Sequence, residues 1–161
     1  MEKEKKKKFY SPEEALAKAM SYCAYQERSH SEVRTKLLQM NVFGKQLEEI
    51  MSKLIEDNFL NEERFAVAFA GGKFRIKKWG HQKIKQALKM KGVSDYCIDK
   101  ALKKIGAVDY KSTFQKELKR KMSLLKKGLN AYEKKTKVAQ YLIGRGYEPE
   151  MVWNELRLDE E

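Results

Sequence analysis

Proline is almost missing from this chain: there are two in 161 residues, beside nine glycines. So few chain breakers argue against a loop-rich β-sandwich and for helices. Cysteine is equally scarce. Cys23 and Cys97 are too few and too far apart for a disulfide framework, and both fall on helical stretches, so they read as buried free thiols in a reducing compartment. No apolar run approaches the ~18 residues of a membrane span. The positive start MEKEKKKK has no apolar stretch behind it, so it is no signal peptide. A cytoplasmic protein without membrane contact is the expectation, with residues 1–11 a basic disordered tail.

Catalytic apparatus is lacking too. There is no phosphate-binding glycine loop, nucleophile elbow or paired-carboxylate site. His30 and His81 stand at helix starts with no third ligand at metal spacing, and read as turn or cap residues. The expectation is therefore no catalytic residue, no metal, no cofactor and no enzyme activity.

What the chain does contain is itself, three times. Shifted by 51 residues, Val33 falls on Ile84, Leu37 on Leu88, Val42 on Val93, Leu47 on Ile98 and His30 on His81. A further shift of 54 brings Ile84 to Val138, Leu88 to Leu142, Gly92 to Gly146, Ile98 to Val152 and Leu102 to Leu156. Within a unit the apolar period is helical: Leu47, Ile50, Met51 and Leu54 lie on one stripe, as do Ile98, Ala101, Leu102 and Ile105. Ser29 to Glu32 fits a capping box. Gly92 and Gly146 suit left-handed positions past helix ends, and Pro149 suits a first turn. Longer helices are expected upstream, over about 12–27, 61–77 and 110–127.

The fold class read from this is all-α: three tandem three-helix repeats, 12–60, 61–109 and 110–161, in an elongated curved helical array. One such unit has little apolar area, so neighbours should share a core, with few contacts between the first and third. Gly71-Gly72 inside a helix suggests a kink, a close approach or plain tolerance.

Charge completes the reading. The chain carries +12, with a pI near 9.5, which suits an anionic partner. From Lys73 to Lys91 there are eight Lys or Arg and no acid. Lys73, Arg75, Lys77, Lys78, Trp79, Lys83, Lys85, Lys89 and Lys91 form the candidate set for contact with a partner or with DNA phosphates. Ile84, Ala87 and Leu88 should face inward on the same helix. A lysine-rich face can serve solubility alone; acids excluded from so long a run favour contact with an anion. Trp79 reads as a packing anchor or as a stacking surface for a base. Lysine fixes position on phosphates without choosing sequence. A second basic run, Lys111–Lys137, holds ten Lys or Arg against Glu117 and Glu133.

The stretch NFLNEERFAVAFAGGKFRIKKWGHQKIKQALKMKGV, residues 58–93, resembles the central signature of the RecX family, regulators of the RecA recombinase. ERSHSEVRTKLLQM in the first unit and YLIGRGY in the third are similar to the family's corresponding segments, and the likeness covers residues 13–158. It implies three tandem three-helix repeats and a non-enzymatic inhibitor. Such a protein binds the RecA filament on DNA in its helical groove and restrains ATP hydrolysis, filament extension and strand exchange. It places the chain in DNA repair, homologous recombination and the SOS response, as a monomer. The matching positions are Arg64, Phe65, Lys77, Trp79, Gly80, Ile84, Lys85, Leu88, Lys91 and Gly92. Two departures stand out: Lys78, where the family often has Gly, and about one extra residue after Phe69. The alternative is a sequence-tolerant DNA-binding protein acting through its basic repeats.

Overall fold

In the computed structural model, residues 8–158 are described; the expected disorder of residues 1–7 and the acidic tip 159–161 lie outside them. The described residues form nine helices and no strand. The first repeat contains α1 (Pro12–Tyr25), α2 (His30–Gln39) and α3 (Gly44–Glu56); the second contains α4 (Glu62–Lys77), α5 (His81–Met90) and α6 (Asp95–Lys103). The third contains α7 (Ala107–Ser123), α8 (Ala131–Gly144) and α9 (Pro149–Leu158). The closest helix pairings all lie within a repeat, α4 against α6 foremost.

Local chemistry sets these limits. Ser11, Ser29, Asn61, Ser94 and Asn130 each accept a backbone N–H of the first turn of the following helix. Gly92 and Gly146 take φ of +76° and +99°, the left-handed geometry expected of them. Helix α7 starts earlier and ends sooner than its apolar pattern suggests. Gly106 gives it an extended cap, and the chain turns through Gly128 at φ +98°. Helix α4 runs unbroken through Gly71-Gly72. The Arg75 guanidinium lies where a Cβ on Gly71 would stand, while the space at Gly72 is open. Ala87 is only half-buried, unlike its fully inward neighbours Ile84 and Leu88.

The core departs from expectation. One apolar cluster spans the second and third repeats, through Phe74, Tyr110, Phe114 and Tyr147. The first repeat keeps its own cluster, built on Val33, Leu37, Ile50 and Leu54 and closed by Leu60. The reason lies in what the first repeat offers its neighbour: Gln26, Glu27, Ser31 and Glu32 rather than apolar side chains. Glu27 pairs with Arg64, whose guanidinium also donates to the Asn58 and Phe59 carbonyls at 3.1 and 3.3 Å. Glu32 does not close its capping box; it pairs with Lys91 at 3.0 Å, and Ser31 Oγ donates to the Lys91 carbonyl.

The second and third repeats meet backbone to backbone. Gly80 N donates to the Arg145 carbonyl at 2.8 Å and Gln82 N to the Gly146 carbonyl at 2.9 Å. A Cβ on Gly80 would sit 2.4 Å from the Gly146 carbonyl carbon, so glycine there permits the approach.

Candidate functional site

The second repeat carries the acid-free basic run, and the fold distributes it over three surfaces. Lys73, one turn beyond Phe69 on α4, holds its ammonium 5.4 Å from the Phe69 ring and 5.0 Å from the Trp79 ring. Lys83, on α5, approaches Trp79 from the other repeat boundary at 4.6 Å. Lys91 reaches the Phe69 ring at 5.7 Å while paired to Glu32. Lys73, Trp79, Lys83 and Lys91 are thus brought together.

Arg75 and Lys78 belong elsewhere. Arg75 lies over Gly71 and lines a hollow with Asp109 among its other walls, and Lys78 Nζ donates to the Arg75 carbonyl at 2.7 Å. Lys77 is exposed nearby. Lys85 and Lys89 stand on the opposite flank of α5 from Lys83, by the 100° step of a helix; Lys89 faces Asp95 at 3.8 Å. The nine candidate residues do not make one continuous patch.

Lys78 caps α4 in the left-handed conformation, φ 59°. A non-glycine residue there is disfavoured by roughly 1 kcal/mol or more, which is a physical reason for glycine to suit that position. Trp79 is half-buried and packs against the shared core, and Lys73 and Lys83 approach its ring at 5.0 and 4.6 Å.

Two roles escaped sequence reasoning. His81 opens α5, but its ring does not cap the helix. It stacks on Tyr110 at 3.7 Å and its Nδ1 pairs with Glu148 at 2.6 Å. The Tyr110 hydroxyl donates to Glu148 at 2.7 Å and accepts from His81 N. Burial alone would raise the Glu148 carboxyl; hydrogen bonds from His81 and Tyr110 override it and hold the group below the ordinary carboxylate range. Burial pushes the Tyr110 and Tyr147 phenols up. This cluster fastens the second and third repeats together. Arg64 likewise serves the joint between the first two repeats. The only advance signal was the repetition of His and Gly at the same register.

Cys23 and Cys97 are buried and free. Burial raises the Cys23 thiol, with Arg28 pulling the other way, and that disfavours a reactive thiolate. Among the described residues no cluster of three or more His, Cys, Asp or Glu could hold a metal, and no helix is long and apolar enough to cross a membrane.

Comparison with known proteins gives this arrangement relatives. Residues 61–102 match the family model for the second three-helix domain of RecX, and residues 109–154 the model for its third. Proteins named regulatory protein RecX from Bacillus cereus (strain B4264) and Bacillus anthracis (strain A0248) are 27% and 26% identical over 146 residues, 87% of this chain. The chain spans about half the length of these curated relatives, 52% in each case. Among solved structures, RecX from Lactobacillus salivarius superposes with a TM-score of 0.80 at 22% identity, covering 91% of this chain and 97% of that one. A second crystal structure of regulatory protein RecX gives 0.77 at 22% identity, covering 91% and 73%.

Proposed function

Since this chain belongs to the RecX family, we propose that it regulates the RecA recombinase by binding RecA filaments on DNA and restraining them. The proposed pose is along the helical groove of the filament, with a monomer touching successive protomers and the DNA phosphates between them. Two weak contacts on one body raise the affinity of the whole through effective concentration. A body lodged in the groove obstructs filament extension and strand exchange and lowers ATP hydrolysis without any chemistry of its own. Cytoplasmic localisation follows from that role.

The observation that supports this most is the charge distribution on a tandem-repeat scaffold. Lysines of the second repeat lie over the Phe69 and Trp79 rings, and acids are missing from that stretch. Lys73, Lys83 and Lys91 gather on one side of it, while Arg75, Lys77 and Lys78, and Lys85 with Lys89, offer further basic contacts on other sides. A groove with an anionic lining would be engaged from several sides at once.

The test is DNA-dependent ATP hydrolysis by preformed RecA filaments during titration with this protein at two salt concentrations. Inhibition well below one molecule per RecA protomer, with free DNA in excess, is the expected result. The same lysine cluster also favours a second reading, a sequence-tolerant DNA-binding protein. Under it, inhibition would need enough protein to coat the DNA. Moderate salt would then abolish inhibition, since neutralising about five duplex phosphates gives a log–log slope of about −4 to −5.

A further inference from the structure

The cation-and-ring arrangement of the second repeat continues into the first, where the basic-run reading placed nothing. Three hollows of about 500, 210 and 430 Å³ lie end to end. The first and second share Tyr22 and Lys36; the second and third share Glu32. Together they make one trough from Tyr10, along α1 and α2, over the polar joint to Phe69, with Trp79 just beyond.

Rings recur along this path, each with cations over it. Lys18 lies 5.4 Å from the Tyr10 ring. Arg28 stacks on Tyr22 at 3.8 Å, its Nε donating to the Tyr22 carbonyl, and Lys36 approaches the same ring at 5.5 Å. Phe69 carries Lys73 and Lys91, and Trp79 carries Lys73 and Lys83. The two acids in the walls, Glu27 and Glu32, are already matched by Arg64 and Lys91. The net character of the trough is therefore basic, and its cations lie close to rings, each such contact contributing about 0.5–1 kcal/mol at an exposed site.

We propose that this trough is a track for single-stranded nucleic acid, entering at Tyr10 and Lys18 on the first repeat and leaving at Trp79 and Lys83 on the second. It rests on the reading that the protein works on DNA, and it adds the strandedness and the residues. A single strand offers phosphates for ordered cations and unpaired base faces for rings and guanidinium planes. A duplex, roughly 20 Å across, presents only its phosphate rims, and its stacked bases cannot reach rings set on the floor of a narrow trough. Acidic protein segments would meet the cations but leave the rings idle.

The experiment uses the whole protein without RecA, so its failure is separable from failure of filament regulation. Fluorescence anisotropy with a labelled oligothymidylate is measured at two salt concentrations against unlabelled hairpin duplex and polyglutamate competitors. The single strand should bind, with both competitors at least tenfold weaker. Lys18→Glu with Lys36→Glu, in the first repeat and outside the basic run, should weaken binding about tenfold or more with helicity unchanged. The salt slope should become shallower by about 1.4 as two phosphate contacts are lost. A Trp153→Phe chain keeps Trp79 as the sole indole, and its emission should change on oligonucleotide binding. Wild-type affinity in the double variant, duplex or polyglutamate competing as well as the strand, or an unresponsive Trp79 would each overturn the proposal.

Discussion

At Gly80 a single hydrogen in place of a methyl group decides whether two repeats can touch. The turn of the third repeat hydrogen-bonds the first turn of α5, so the cap that Ser29 gives α2 from within is given to α5 by its neighbour. Gly80→Ala should therefore cost about 1–3 kcal/mol through enforced backbone movement. Thermal melting would show this as a fall of several degrees at this chain length. Gly72→Ala is the contrasting case: the space is open and the position is mid-helix, so a gain of about 0.5–1 kcal/mol is expected. A titration tests the neighbouring carboxylate. Glu148 is held below its ordinary pKa, so its stabilising share is complete above about pH 4.3 and is lost as pH falls through the lowered value. The stability difference between wild type and Glu148→Gln, read from urea melts, should be large at pH 7 and shrink below about pH 4. A difference unchanged at pH 3 would contradict this linkage.

Among the helices, α5 separates folding from contact. Leu88 is fully buried, and Leu88→Ala should destabilise the chain by about 2–5 kcal/mol in denaturant unfolding. Lys77→Glu, Lys85→Glu and Lys89→Glu together should leave melting nearly unchanged and weaken inhibition of RecA filaments. A triple variant that inhibits normally would remove those flanks from the mechanism. The helices themselves were legible in the sequence because apolar stripes, caps and post-helical glycines are local signals; Leu47 to Leu54 and Gly92 needed no partner to be read. The ties between repeats were not. His81 and Glu148 are 67 residues apart, and Tyr147 reaches the Lys78 carbonyl across 69. No periodicity announces such pairs, so His81 reads as a helix start and nothing more. The basic run was legible as charge, but its division over three surfaces depends on which way each α4 and α5 residue turns.

For the molecule as a whole, the division of the core matters more than any one contact. The second and third repeats share apolar side chains, while the first is fastened to them by Glu27–Arg64, Glu32–Lys91 and the Ser31 hydroxyl. Partly exposed ion pairs of this kind contribute little each and are screened by salt. Calorimetry should resolve two transitions, and Arg64→Ala should move them further apart. One transition in both proteins, with equal calorimetric and van't Hoff enthalpies, would mean that the polar joint transmits cooperativity as well as a shared core does.

That joint also bears on how the chain would seat in the proposed filament groove. A stiff bar seats well in a helical channel of only one pitch, since any other pitch lifts one of its ends. Here one polar joint, with no shared apolar cluster across it, sits about a third of the way along the chain. The longer arm can settle first, and the shorter arm can then swing to meet the wall at little elastic cost. In the proposed pose, such a body would follow a groove whose pitch varies along its length more readily than it would gauge one fixed pitch.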